Sequence, residues 1–200
     1  KVLKVKKFEF APRLNVPLMG CSSVIAKGSA TKDNSLLHGR NFDYQGVGYW
    51  DKQTAVIFHK PNNSQKYVSI STAGILFGGV TAMNESGLTL AVHQHLSSNL
   101  FDLGGLPIGI AGDQVMRKAE NLEDAKKILD AHVPNGCWTY VITSAKENKT
   151  LCYEVTPSLR NSFISDDDTF GYTNIFLDKE LAKSELLMYP SQWKSNTGRY

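Results

Sequence analysis

Cysteine is scarce in this 200-residue chain, which carries only Cys21, Cys137 and Cys152. An odd count of three allows at most one disulfide and always leaves a thiol over. No CxxC pair or Cys/His spacing suggests structural zinc. Long apolar runs are missing as well: no stretch of about 18 apolar residues offers a membrane-spanning helix. Neither sign of charge dominates, with 22 Lys and Arg against 19 Asp and Glu, a net charge of +3. Apart from "KVLKVKK" at residues 1–7, the basic residues are scattered and are not interleaved with aromatics. That distribution argues against a nucleic-acid partner. Repeats, low-complexity tracts and linkers are also lacking. What is present, 42% hydrophobic and 20% charged residues, is ordinary for a globular domain. A domain of this length buries roughly 70% of the surface its unfolded chain exposes, so it needs no disulfide or metal staple.

The pattern along the chain begins with strands. "SSVIAKG" (22–28) and "LLHGRNFDY" (36–44) flank the turn-forming "TKDNS" (31–35) and predict a hairpin over residues 21–43. Further strands are expected at 54–60, at 66–72, where apolar and polar residues alternate, and at 88–96 after the turn "MNESG" (83–87). Residues 108–132 have helical periodicity and are expected to split near Asn121, an N-cap with Asp124 three residues on. Strands return over 138–157 around the turn "KENK" (146–149), and a last one is expected through "FGYTNIF" (170–176). Strands, a helical pair and strands again make an α+β layered domain.

Among the chemically capable residues, Cys21 has two readings. Free cysteines usually pack as small buried apolar residues. A nucleophile instead needs the thiolate, and a reference thiol pKa of about 8.5 calls for a nearby positive charge. The predicted hairpin brings Arg40 close to Cys21, with Asp43 available to hold the arginine or a neighbouring amine. His38, His59 and His132 read as surface or satisfied histidines. His93 and His95 share one strand face, but no carboxylate or cysteine nearby completes a metal site. The acidic "SDDDT" (165–169) reads as a solvated loop. Asn174 sits inside an apolar stretch, where a buried amide must be hydrogen-bonded. Its two readings are a structural turn or an amide aimed at an oxyanion.

These pieces occur in a telling order. "GCSS" followed by "GRNFDY", "MNESGLTLAV", "LGGLPIGIAGDQVMRKAENLEDAKKIL", "YTNIF" and "SNTGR" together resemble the acyl-coenzyme A:6-aminopenicillanic acid acyltransferase family. These are N-terminal-nucleophile (Ntn) cysteine hydrolases with a distant likeness to choloylglycine hydrolases. The resemblance runs from Gly20 to Arg199. It implies a four-layer αββα sandwich, self-cleavage between Gly20 and Cys21, and Cys21 as nucleophile with its own freed α-amine as base. It implies that Arg40 and Asp43 orient the thiol and amine, and that Asn174 and Arg199 complete the site. Relatives often carry an oxyanion-binding asparagine where this chain has His93-Gln94-His95, which makes Gln94 the expected donor. Ile175 also departs from the family, where histidine commonly follows the asparagine.

The resemblance thus implies an amidohydrolase or acyltransferase for a small acylated amide or thioester, with no cofactor and no metal. Residues 1–20 are expected to be a propeptide-like segment and 21–200 the Ntn domain, truncated at its C-terminal end. While Cys21 stays joined to Gly20 it has no free amine, so a chain that is never cut fits a second reading: a catalytically silent binding or structural domain. A papain-like protease would need a Cys–His pair that the sequence does not place. Acyl group, compartment and homo-oligomerisation are left open.

Overall fold

The computed structural model describes residues 20–43, 52–74, 78–95, 101–185, 197–198 and 200. The expected hairpin forms from β1 (Gly20–Gly28) and β2 (Asn34–Asp43). Gly28 (φ +53°) and Asn34 (φ +57°) take the left-handed backbone at its turn. That conformation is easy for glycine and tolerated by asparagine. β10 (Thr169–Tyr172) pairs with the other edge of β1, so the small sheet runs β10-β1-β2. The large sheet is antiparallel in the order β3-β4-β5-β6-β7-β8-β9. Its strands are β3 (Thr54–His59), β4 (Tyr67–Thr72), β5 (Thr81–Asn84), β6 (Leu88–Gln94), β7 (Trp138–Ser144), β8 (Lys149–Val155) and β9 (Arg160–Ser165).

Two strands escape the sequence pattern. β5 has four residues, and β9 ("RNSFIS") is mostly polar with no clean alternation. The expected strand over 170–176 is shorter than its apolar content suggests. β10 stops at Tyr172, and Thr173 to Leu177 run as a loop.

Side-chain alternation gives the large sheet two different faces. Leu88, Leu90, Val92, Tyr140, Ile142, Leu151 and Tyr153 pack under helices α1 (Ile108–Lys118) and α2 (Leu122–Asp130), meeting Val115, Met116, Leu122 and Leu129. The opposite face meets the small sheet through a smaller cluster of Ile25, Val141, Cys152 and Tyr172. The fold is an α+β sandwich, and the described residues supply helices, large sheet and small sheet in that order. Val24 and Leu37 on the outer face of the small sheet stay 62% and 57% exposed, with no helix of the described residues over them. The acidic stretch 165–169 does more than meet solvent. Buried Lys27 donates to the Asp166 carbonyl at 2.9 Å, and Asp168 accepts from the Ser29 backbone at 3.0 Å, tying the β9–β10 turn to the hairpin.

Helix α2 starts at the expected cap. Asn121 Oδ1 accepts from the Asp124 backbone at 2.8 Å, while Asp124 Oδ2 accepts from Asn121 Nδ2 at 2.9 Å. Such a cap contributes about 1 kcal/mol. Glu147, in the β7–β8 turn, accepts from Leu122 N at 2.8 Å and docks the helix end onto the sheet. Helix α1 comes so close that backbone meets backbone. A Cβ on Gly79 would overlap the main chain of Gly109, Gly112 and Asp113, and one on Gly112 would overlap Gly79. Rigid main chain on both sides leaves no flexible atom to yield. Gly79→Ala is therefore expected to destabilise the protein by about 3 kcal/mol, read as a lower urea midpoint at unchanged m-value, whereas Gly171→Ala, with open space around it, shifts the midpoint far less.

Candidate active site

The β1–β2 register sets opposite each other Cys21 and Phe42, Ser23 and Arg40, and Gly20 and Asp43. Cys21, Ser23 and Ile25 are buried on the inner face of β1, while Val24 points out. Arg40 and Phe42 share that inner face, and the guanidinium lies 5.4 Å from the Phe42 ring centre. From there Arg40 Nη2 reaches Cys21 Sγ at 3.3 Å and donates to the Val92 carbonyl at 2.5 Å. Burial pulls the Arg40 guanidinium below its usual value, while the thiolate form of Cys21 and the Asp43 carboxylate pull it back up. A guanidinium remains charged throughout.

Asn174 comes from the far end of the chain. Its Oδ1 accepts from the Cys21 backbone N–H at 2.5 Å, and its Nδ2 donates to the Gln94 carbonyl at 2.8 Å. One carboxamide thus joins the start of β1 to the end of β6. Among the residues that the sequence singles out, the fold gathers Cys21, Arg40 and Asn174 around one thiol and one amide nitrogen.

The others are placed differently. Asp43 follows Asn41 on the outer, exposed face of β2 and accepts from Asn41 Nδ2 at 2.9 Å. It acts on Arg40 through charge, not contact. Gln94 departs from the expected oxyanion donor: alternation along β6 puts Leu90, Val92 and Gln94 toward the helices and Ala91 and His93 toward Cys21. Its backbone carbonyl, not its side-chain amide, touches Asn174. Arg199 lies outside the described residues, as do residues 1–19 of the expected propeptide.

Sequence reasoning passed over a polar chain behind the thiol. Arg40 Nη1 approaches His93 Nε2 at 3.1 Å, and the same nitrogen lies 2.9 Å from Ser23 Oγ. Ser23 Oγ meets His38 Nε2 at 3.1 Å, and His38 Nδ1 meets Thr89 Oγ1 at 2.7 Å. Arg40 Nη1 also lies 3.4 Å from His93 Nδ1; a guanidinium only donates, so the ring's tautomer sets which nitrogen accepts from it. The spacing Cys21-x-Ser23 and Arg40-x-His38 was the available signal, since residues two apart share a strand face. A second buried network surrounds His95. It stacks on Phe176 at 3.9 Å and meets Thr139 Oγ1 at 2.8 Å, and Tyr172 links Thr139 to Glu154.

Comparison with known proteins identifies the family. Residues 29–198 match the family described as acyl-coenzyme A:6-aminopenicillanic acid acyl-transferase. The chain belongs to this family. The matched span includes Arg40, Asp43, Gln94 and Asn174 and begins downstream of Cys21. Two solved structures share this family member's fold at 15% identity. The N-acylethanolamine-hydrolyzing acid amidase ortholog of Caenorhabditis elegans matches with TM-score 0.62 over 90% of this chain and 80% of its own. Penicillin V acylase from Agrobacterium tumefaciens matches with TM-score 0.52 over 73% of this chain and 50% of its own. Both are Ntn-hydrolase folds. An uncharacterized protein of Archaeoglobus fulgidus is 25% identical over 131 residues, 64% of this chain. The chain spans only 21% of that relative's length.

The half-buried imidazole of His38 and the buried one of His95 make stability depend on pH. Burial, aided at His38 by Arg40, lowers His38 to about 4, and burial alone lowers His95 to about 3, against an ordinary 6.5. Both rings are held neutral in the fold and take up a proton on unfolding below pH 6.5. The stability they confer is full above pH 6.5 and is lost as pH falls through that value toward 4 and 3. Glu154 and Glu185, raised by burial, act in the opposite direction. Comparison with a variant cancels their effect. His38→Gln is expected to flatten the fall in urea stability by about one proton, about 1.4 kcal/mol per pH unit around pH 5; an unchanged slope counts against a neutral half-buried His38.

Proposed function

We propose that this protein is a cysteine amidohydrolase or acyltransferase of the Ntn type, acting on a small acylated amide or thioester and activated by cleavage between Gly20 and Cys21. One observation carries the reading: the backbone nitrogen and the thiol of the same residue each meet a polar side chain, Asn174 Oδ1 at 2.5 Å and Arg40 Nη2 at 3.3 Å. Any buried main-chain N–H needs an acceptor, but here one side chain takes the nitrogen while a guanidinium takes the thiol of the same residue. A nucleophile whose own amine is its base needs that nitrogen oriented.

In the activating step the Cys21 thiolate attacks the Gly20 carbonyl carbon. The Gly20–Cys21 C–N bond breaks, the departing nitrogen takes up a proton, and the glycyl group remains as a thioester on Sγ. Water hydrolyses the thioester, leaving a Gly20 carboxylate, a free thiol and the new α-amine. That amine has a reference pKa near 8 and can take the thiol proton close to neutral pH. Asn174 Oδ1 holds the amine as it holds the peptide N–H, and Arg40 stabilises the developing thiolate by charge.

In turnover the thiolate attacks the substrate carbonyl, the proton held on the amine passes to the leaving group, and an acyl-thioester remains. Attack by water makes the protein a hydrolase; attack by an acceptor amine makes it a transferase. Gln94 contributes through its carbonyl, which fixes the Asn174 amide plane. Asp43 supports Arg40 through charge, and Arg199 is taken for the same site on the likeness of "SNTGR" to a late motif of the family, one residue beyond the matched span. Residues 1–20 are the segment removed.

Cys21→Ala is expected to abolish both cleavage and turnover. Intact mass after prolonged incubation should show cut wild-type protein and uncut variant. A panel of acylated amino acids, penicillins and bile-salt amides then reads turnover of the cut form. Full acylase activity in Cys21→Ala, or wild-type protein that stays uncut with Cys21 unreactive to iodoacetamide, rules the reading out. Asn174→Ala is expected to slow cleavage by about 10²-fold through misplacement of the nitrogen, measured as the rate of appearance of the Cys21 N-terminus.

A further inference from the structure

The loop that carries Asn174 lies beyond the end of β10, and a buried carboxylate on another strand supports it. β10 ends at Tyr172, whose partner across the sheet is Ser23. Beyond it the backbone N–H groups of Leu177 and Asp178 donate to Glu154, at 2.6 Å to Oε1 and 2.8 Å to Oε2. Tyr172 Oη donates to the same Oε1 at 2.7 Å. Glu154 lies near the end of β8 with 0% exposure. Its donors therefore bracket Asn174 from both sides, two residues before it and three and four after. Glu185 adds a further acceptor for Phe176 N at 2.6 Å.

A fully buried carboxylate with no salt-bridge cation among the described residues is an expensive residue to keep. Removal from water costs several kcal/mol, which is recovered only when its oxygens are filled with donors. Packing alone would be served more cheaply by an apolar residue or glutamine. Only a carboxylate offers acceptors on both ends, and here each end takes a backbone N–H of the loop. Glutamine cannot reproduce this, because whichever way its amide is set its NH2 faces one of those N–H groups.

We propose that Glu154 is a positioning residue for the active site: it fixes the 172–178 loop so that Asn174 Oδ1 meets the nitrogen of Cys21. The importance of that contact for chemistry rests on the function proposed above, but the contact can be measured without it. In a Cys21→Ala background the chain stays uncut and residue 21 keeps its N–H. Its hydrogen-exchange rate, read by NMR, reports the bond to Asn174. Glu154→Gln is expected to speed exchange at residue 21 by about tenfold, the loss of one hydrogen bond, and to leave Ile25 on the same strand unchanged. Asn174→Ala should do the same, and the combined Glu154→Gln, Asn174→Ala variant should be no faster than Asn174→Ala alone. Unchanged exchange at residue 21, equal acceleration at Ile25, or full additivity of the two substitutions overturns the proposal. Should Glu154→Gln fail to fold, Tyr172→Phe withdraws a single donor and should give the same local pattern at smaller amplitude; its absence overturns the proposal equally. With Cys21 restored, Glu154→Gln should slow cleavage about tenfold. Wild-type protein that never cuts defeats the functional reading and leaves the exchange result standing.

Discussion

The carboxamide of Asn174 is the joint on which this site depends. Its oxygen takes the nitrogen of Cys21 in the small sheet, and its nitrogen gives to the carbonyl of Gln94 in the large one. An amide group is planar and has its donor and acceptor at opposite corners, so both partners are held at one fixed separation. The start of β1, the central strand of the small sheet, is thereby located against the end of β6, and the thiol against the guanidinium of Arg40. Neither sheet could shift without breaking a buried hydrogen bond, which leaves an unpaired polar group at a cost of about 1–3 kcal/mol.

The two faces of the large sheet are built on different principles. Under the helices the interior is aliphatic and aromatic, with close backbone contact at Gly79 and Gly112. Between the sheets polar and apolar residues are interleaved: Ser23, His93, Thr139, Thr143 and Glu154 are buried beside the smaller cluster of Ile25, Val141, Cys152 and Tyr172. The apolar face supplies stability through area removed from water. The polar face holds few groups in an orientation that matters chemically, and each needs a partner to stay there. Neutral His38 and His95 and the raised carboxyls of Glu154 and Glu185 are the electrostatic consequence, since burial disfavours charge of either sign.

Family membership and geometry meet at the same residues without duplicating one another. The family match begins after Cys21, so it is silent on the thiol. The site geometry centres on the thiol and its nitrogen. The fold shared with an amidase and an acylase at 15% identity adds the architecture in which these atoms sit.

Local rules made much of this protein legible from its residues. Period-two alternation and turn residues located the β1–β2 hairpin, β3, β4, β6 and the β7–β8 pair. A capping asparagine located the start of α2, because a cap is a contact over three residues. Motif order singled out Cys21, Arg40 and Asn174. What the chain alone did not disclose depends on partners far away in sequence. Cys21 and Asn174 meet across 153 positions and Arg40 and His93 across 53, and no periodicity encodes such pairs. The inward turn of His93 in place of Gln94, the outward face of Asp43, and the tie from Glu154 to the Asn174 loop were decided by strand register and by sheet stacking. A strand pattern states that two residues lie on opposite faces; only the packed structure settles which face meets the thiol.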